Sequence, residues 1–199
     1  MVVLMRTYDE SSIVRRLSQL DRTRKTAFAA ACAQRLSPLY LRYAEAVPGV
    51  DSATIRSVVG LVWEVLSGAQ VDLRPQQHVA EGQVPPEDDN WVLETGYAQN
   101  AAACAAYAVR AWLTDDAQEA AWAARQAYEV SDHAAQQLLA DLDLNAPEAE
   151  SRLAGHELVQ AALDSIERDL RVVEDPELDL DTLAARATNE GIAWSRGMP

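Results

Sequence analysis

The sequence predicts an all-α fold, a single compact bundle of seven to eight helices that covers residues 1–199. Apolar residues recur at the 3.6-residue spacing of an α-helix through most of the chain. No stretch of alternating apolar and polar residues exceeds four positions, so no segment is predicted to form a strand. Gly and Pro, which interrupt helices, number only 8 each, and the length suffices for one domain with its own hydrophobic core.

Two helices are predicted within the first fifty residues. The first covers residues 9–21, where Ser11 or Ser12 can accept hydrogen bonds from the N–H groups of the first turn. The second, which we call the central helix, covers residues 26–45, and its alanine-rich apolar face predicts that the other helices pack around it. That face contains Phe28, Cys32, Leu36, Leu39 and Tyr43, which recur at steps of three or four residues.

The central helix also contains polar and helix-bending residues. Arg35 and Arg42 lie seven positions apart, and we expect both on a solvent-facing flank. Pro38 lacks the backbone N–H and is expected to bend the helix midway. Cys32 and Cys104 occupy predicted apolar helix faces, so we expect both to be buried, reduced thiols.

The third helix is predicted over residues 52–68. Asp51 or Ser52 can cap its first turn, and Gly68 stands where a C-terminal cap glycine belongs. Gly60 lies inside this helix, where glycine costs about 1 kcal/mol relative to alanine. We therefore expect Gly60 to mark a close contact between two helices.

Five further helices are predicted in the rest of the chain. They cover residues 76–81, 91–113, 114–142, 147–175 and 181–189. The last of them is expected to be capped by Gly191. His156 falls on the apolar stripe of the helix before it, so we expect a hydrogen-bonded histidine in the core.

The charge of the chain is strongly negative and unevenly distributed. The net charge is −14, with +4 on residues 1–48 and −18 on the remainder. A chain segment with this much negative charge repels the phosphate groups of nucleic acids. Nucleic-acid binding is therefore not expected. A basic protein is the partner that this charge favours, although solubility alone also accounts for an acidic surface.

Recognised targeting and catalytic signals are missing. No apolar run reaches the roughly 18 residues of a membrane-spanning helix, so no membrane association is expected. The first residues lack a basic region followed by an apolar segment, which favours the cytoplasm. No P-loop, dinucleotide fingerprint, His-Glu-x-x-His helix or Gly-x-Ser-x-Gly elbow occurs. We therefore expect no cofactor, no metal and no catalytic residue, and a binding role rather than an enzymatic one.

An acidic loop before residue 91 is the predicted partner-binding site. It contains Glu87, Asp88 and Asp89, and Trp91 follows as an apolar anchor. Further acidic loop residues at Asp141 and around Pro176 can extend the same negative surface if they lie at one end of the bundle. Such a surface steers a basic partner by long-range attraction, while a buried aromatic residue supplies binding energy.

An alternative site combines Glu64 with Asp88 and Asp89. If the acidic loop folds over the third helix, the three carboxylates can bind a cation or act in acid–base chemistry. The competing interpretation makes the two aspartates helix caps and pairs Glu64 with an arginine such as Arg35 or Arg56.

Five segments together resemble the YjaG-like bacterial family, a domain of unknown function (family 416). They cover residues 27–40, 55–66, 84–89, 166–170 and 188–192. The first two segments, AFAAACAQRLSPLY and IRSVVGLVWEVL, are the most specific. The resemblance implies a compact all-helical domain and no established activity, so it transfers no catalytic residues.

Three classes of function follow from these observations. The favoured class is a non-enzymatic protein-interaction module, which can form a homodimer. A more specific form of it is an inhibitor or immunity-type protein that covers a basic toxin or nuclease. The alternative is a small helical enzyme or a metal- or ligand-binding bundle that uses the carboxylates near Glu64 and Asp88.

Overall fold

Helices form all of the regular secondary structure in the residues that the computed structural model describes, 5–86 and 92–199. The predicted all-α fold is therefore confirmed. The helices of the described residues are α1 (Glu10–Leu17), α2 (Arg22–Ala46), α3 (Ser52–Leu66), α4 (Arg74–Glu81), α5 (Leu93–Thr114), α6 (Ala117–Leu138), α7 (Ala149–Ala154), α8 (Glu157–Glu174) and α9 (Leu180–Gly197).

Helix α2 is the centre of the bundle, as its apolar pattern predicts. It packs against α3, α5, α6, α8 and α9. The seven successive residues 27–33 are all fully buried, which means that every face of the helix is covered along this stretch. Cys32 and Cys104 are buried free thiols, as predicted.

Arg35 does not lie on a solvent-facing flank of α2, so its predicted exposure is wrong. Arg35 is fully buried. Its Nη2 atom lies 2.8 Å from Oδ2 of Asp169 on α8, and its Nε atom lies 2.8 Å from Oε2 of Glu190 on α9. Burial of the guanidinium is tolerated because two carboxylates from other helices compensate its charge.

These three residues belong to a larger cluster, which we call the buried ion network after its fully buried pair Arg35 and Asp169. It also includes the exposed Arg168 and the half-buried Arg186. Arg186 Nη2 lies 2.6 Å from Oδ1 of Asp169, and Arg168 Nη1 lies 3.1 Å from Oε1 of Glu190. Each carboxylate therefore contacts two arginines. The network ties α2, α8 and α9 together through contacts with fixed geometry.

Arg42, the other arginine expected on a solvent-facing flank, is half-buried and holds the end of α9. Its Nη1 atom donates to the carbonyl oxygens of Ser195 (3.2 Å) and Met198 (3.0 Å). Its Nη2 atom donates to Oε1 of Glu94 on α5 at 3.1 Å. Arg42 thus satisfies carbonyl groups that a helix C-terminus leaves without partners.

The last helix is longer than predicted, because Gly191 lies inside α9 rather than at its end. A Cβ atom at Gly191 would stand 2.5 Å from the carbonyl oxygen of Arg35, closer than atoms can pack. Glycine is therefore required where α9 crosses α2. Gly60, where we predicted a close contact, has open space instead, because no atom of another helix lies within 4 Å of an added Cβ.

Helix ends differ from the predictions in two further places. The helix predicted over residues 147–175 is divided into α7 and α8, and His156 caps α8 by accepting from the Leu158 N–H at 3.3 Å. His156 is thus hydrogen-bonded but is a half-buried cap and not a core residue. The cap of α1 is Asp9, whose Oδ1 accepts from the Ser12 N–H at 3.0 Å.

Candidate functional site

A cleft of about 490 Å³ opens between the segment before α1 and the helices α6, α7 and α8. We call it the acidic cleft. Its volume lies in the range of small-molecule binding pockets, about 300–1,000 Å³. The lining residues that matter for its chemistry are Tyr8, Tyr128, Asp132, Leu144, Glu150 and Leu153.

Two stacked tyrosine rings form an aromatic wall of the acidic cleft. The rings of Tyr8 and Tyr128 are nearly parallel, with 4.7 Å between their centroids and 12° between their planes. Tyr8 precedes α1 and is held against α6, where its hydroxyl is 3.5 Å from the carbonyl oxygen of Ala121. Behind the rings lies a small apolar cluster that contains Ala135, Val159, Leu163 and Leu153.

Carboxylates of α6 and α7 lie beside this wall. Asp132 is one helical turn after Tyr128, is half-buried, and accepts a 2.7 Å hydrogen bond from Nε2 of Gln136. Glu150 on α7 is exposed. Burial raises the pKa of the Tyr128 hydroxyl, and the negative charges of Asp132 and Glu150 raise it further. The tyrosine hydroxyl therefore sits in a negative field and stays protonated at neutral pH.

The basic residue of the acidic cleft, Arg6, does not neutralise that field. Its Nε atom forms a 2.6 Å ion pair with Oδ1 of Asp164 on α8. Its backbone N–H and carbonyl are both bonded to the side chain of Gln160, each at 2.9 Å. These contacts hold the segment before α1 against α8. The charge of Arg6 is balanced by Asp164, a carboxylate that does not line the cleft.

The loop between α6 and α7, of which Leu144 lines the acidic cleft, carries exposed acidic and apolar groups. Four carboxylates of this region, which we call the acidic rim, are Asp141, Asp143, Glu148 and Glu150, and all are exposed. Leu138 and Leu144, with 52% and 58% of their surface exposed, are the most exposed large apolar residues of the described chain. The site thus combines negative charge with uncovered apolar surface.

A second cleft, of about 650 Å³, lies between the loop after α3 and the residue Trp112 of α5. Its charged lining residues are Asp72 and Arg74, which neutralise each other through a 2.9 Å ion pair. It therefore offers no unbalanced charge to a ligand. The acidic cleft is the better candidate site.

The residues of the predicted partner-binding site, Glu87, Asp88, Asp89 and Trp91, lie outside the described residues, so that site stays a prediction. Of the alternative carboxylate site only Glu64 is described, and it is exposed on α3. Of the two arginines suggested as its partner, Arg35 pairs with Asp169 and Glu190 instead. The other, Arg56, is within the described residues and forms no ion pair with Glu64.

Across residues 5–86 and 92–199, no three His, Cys, Asp or Glu side chains are grouped so that they could hold a metal ion. Across the same ranges, no helix has the length and apolarity needed to cross a membrane.

The helix predicted over residues 114–142 ends at Leu138, so Asp141 lies in a loop and not in the last turn of that helix. The sequence did not bring together the residues of the acidic cleft. The spacing of Tyr128 and Asp132, four residues apart on one helix, is a signal that these two side chains are neighbours. No local signal links Tyr8 to Tyr128, because they are far apart in the chain.

Comparisons with known proteins agree on the family and the fold. The model of a family described as "Protein of unknown function (DUF416)" matches residues 12–192. The crystal structure of a DUF416 family protein from Shewanella baltica OS155 superposes with a TM-score of 0.74 at 19% sequence identity. The alignment covers 94% of this chain and 95% of that one, and at this identity it shows the shared fold alone. No curated protein matches the sequence.

Proposed function

The chain belongs to the DUF416 family of proteins of unknown function, and family membership therefore names no activity. From its surface we propose that it is a non-enzymatic binding module for a basic protein partner. The observation that supports the proposal is the acidic rim, whose exposed carboxylates belong to the same stretch of chain, residues 138–150, as the exposed side chains of Leu138 and Leu144. Charge and apolar surface together are the two components that a protein-binding surface needs.

Most of the positively charged side chains are paired within the molecule. Most of its basic residues form ion pairs with carboxylates of the same chain, as Arg16 does with Glu167 and Glu174, both at 2.7 Å. None of the carboxylates of the acidic rim forms an ion pair with a described residue. The negative charge of the acidic rim is therefore available to a partner, whereas most of the positive charge is already paired within the chain. Arg152, which is exposed on α7, is an exception.

The proposed mode of action assigns separate roles to charge and to apolar surface. Long-range attraction by exposed carboxylates raises the rate of encounter with a basic partner. Leu138 and Leu144, with the aromatic wall of the acidic cleft, supply contact surface that slows dissociation. A stable interface buries about 1,200–2,000 Å², so the partner must also cover surface around the cleft. An inhibitor or immunity-type protein that blocks a cationic enzyme acts in this way.

Two variants with equal charge changes test the proposal. The rim variant contains Asp141→Asn, Glu148→Gln and Glu150→Gln. The control variant removes the same charge from α2, α3 and α4 by Glu45→Gln, Glu64→Gln and Glu81→Gln. Asp143 is kept because its Oδ1 accepts from the Asn145 N–H at 2.9 Å and fixes the loop.

The partner is first captured from the native host by cross-linking and identified by mass spectrometry, and its association rate with each purified variant is then measured. We expect a basic partner whose association slows about tenfold with the rim variant at low salt and little with the control variant. A partner that is not basic, or equal slowing by the two variants, would contradict the proposal.

A further inference from the structure

We infer that the acidic cleft receives a single arginine side chain of the partner, an inference that rests on the proposed function and names the group that enters the site. Three properties of the cleft point to this occupant: its negative charge, its aromatic wall, and its apolar surroundings. Each restricts the chemistry of the ligand in a different way.

The charge of the cleft selects a cation. Asp132 and Glu150 both line it, and the charge of its one basic residue, Arg6, is already balanced by Asp164. One oxygen of Asp132, Oδ2, accepts from Gln136 at 2.7 Å, so its carboxylate is held in position on α6. A carboxylate fixed in this way binds a cation with little further loss of side-chain entropy.

The aromatic wall selects a flat cation over a compact one. Tyr8 and Tyr128 line the cleft with nearly parallel rings, 4.7 Å apart. A guanidinium group is planar, stacks on aromatic rings and donates two parallel hydrogen bonds to a carboxylate, whereas an ammonium group is compact and strongly hydrated. Arginine therefore fits this wall better than lysine does.

The apolar lining explains how the rest of the side chain is accommodated. Leu144 and Leu153 line the same cleft as the two carboxylates. The methylene groups of an arginine can lie against these leucines while the guanidinium reaches the carboxylate, as long basic side chains do on apolar surfaces. A metal ion, in contrast, would gain nothing from the leucines and tyrosines.

The inference is tested with short blocked peptides, which do not depend on knowing the partner. The probes are Ac-Ala-X-Ala-NH2, where X is arginine, lysine or citrulline, the last being the uncharged counterpart of arginine. Binding is followed by the amide chemical shifts of the full-length protein in two-dimensional NMR. The expected result is millimolar binding of the arginine peptide, with shifts concentrated around Tyr128, Asp132 and Glu150.

We expect the lysine peptide to bind about fivefold more weakly and the citrulline peptide more than tenfold more weakly. Asp132→Asn should weaken the arginine peptide about tenfold, because it removes the charge and leaves the shape and the bond from Gln136 unchanged. Glu64→Gln, an equal charge change on α3, should have no effect. Equal binding of the three peptides, shifts away from the cleft, no binding at 20 mM, or no effect of Asp132→Asn would each overturn the inference.

The peptide results and the partner results can fail separately. If the rim variant slows association with the partner but the arginine peptide does not enter the cleft, the proposed function stands and the arginine site is rejected. If the peptide enters the cleft but the captured partner is not basic, the proposed function is rejected and the specificity of the cleft for arginine stands as an independent property.

Discussion

Carboxylates have opposite roles in two regions of this protein, the buried ion network and the acidic cleft. Asp169 of the network is fully buried between Arg35 and Arg186, at 2.8 and 2.6 Å. Asp132 of the cleft is half-buried, and its bond is to a neutral partner, Gln136. Charge that is fully matched inside the molecule holds helices in place, whereas charge that is unmatched at a cleft is available for a ligand.

The largest expected difference between a carboxylate of the buried ion network and one of the acidic cleft is the effect of its substitution on the free energy of unfolding. Replacing Asp169 by Asn should lower the free energy of unfolding by about 3–5 kcal/mol, because it leaves the buried charge of Arg35 poorly compensated. Urea denaturation measures the change.

The matched control is Asp164→Asn, which breaks the exposed ion pair with Arg6 and should cost no more than about 1 kcal/mol. If the two substitutions lowered stability equally, the buried ion network would have no special structural role.

Gly191 and Gly60 give the next largest contrast, and their substitutions should have opposite signs. Gly191→Ala should destabilise the protein by about 1–3 kcal/mol, because the added methyl group would meet the backbone of Arg35. Gly60→Ala should stabilise it by up to about 1 kcal/mol, because Gly60 lies in a helix with open space around it. Thermal unfolding of both variants tests the pair, and a stabilising Gly191→Ala would refute the close crossing of α9 and α2.

The thiol beside the buried ion network should be inert. Burial raises the pKa of Cys32 to about 12, although the neighbouring charge of Arg35 lowers it in part. A group whose pKa is raised on folding stabilises the native state below its unfolded pKa, about 8.5, and this contribution is lost as the pH rises toward 12.

At pH 8 we therefore expect no reaction of native Cys32 with a thiol reagent such as DTNB, and complete reaction after unfolding in guanidinium. Cys104 is the internal comparison, because burial also raises its pKa. Rapid modification of either thiol in the folded protein would show that the core opens readily.

The smallest expected effect on stability belongs to the acidic cleft. Asp132→Asn should change the free energy of unfolding by less than about 0.5 kcal/mol, because the amide can still accept from Gln136 and no buried positive charge loses a partner. The same substitution is expected to weaken arginine binding about tenfold. Urea denaturation and the peptide titration, made on one sample, separate folding from binding. A large loss of stability would show that Asp132 is required to stabilise the fold.

The sequence by itself determined the features that depend on neighbouring residues. Helical periodicity identified the all-α fold and the central position of α2, and most helices lie where they were predicted. Asp51 caps α3 through the Ala53 N–H at 2.9 Å, and Gly68 adopts a φ of +97° after that helix, both as predicted. Caps and periodicity are local properties, so they can be recognised without knowing which helices pack together.

Only the tertiary structure decided which charges are buried and which residues line the acidic cleft. The heptad spacing of Arg35 and Arg42 indicated exposure, but the guanidinium of Arg35 meets Asp169 and Glu190, which follow it by 134 and 155 residues. In the same way, the stacking of Tyr8 on Tyr128 joins two distant parts of the chain. Local patterns show the faces of a helix, but only the packing of all the helices determines whether a face meets solvent, an apolar side chain or an opposite charge.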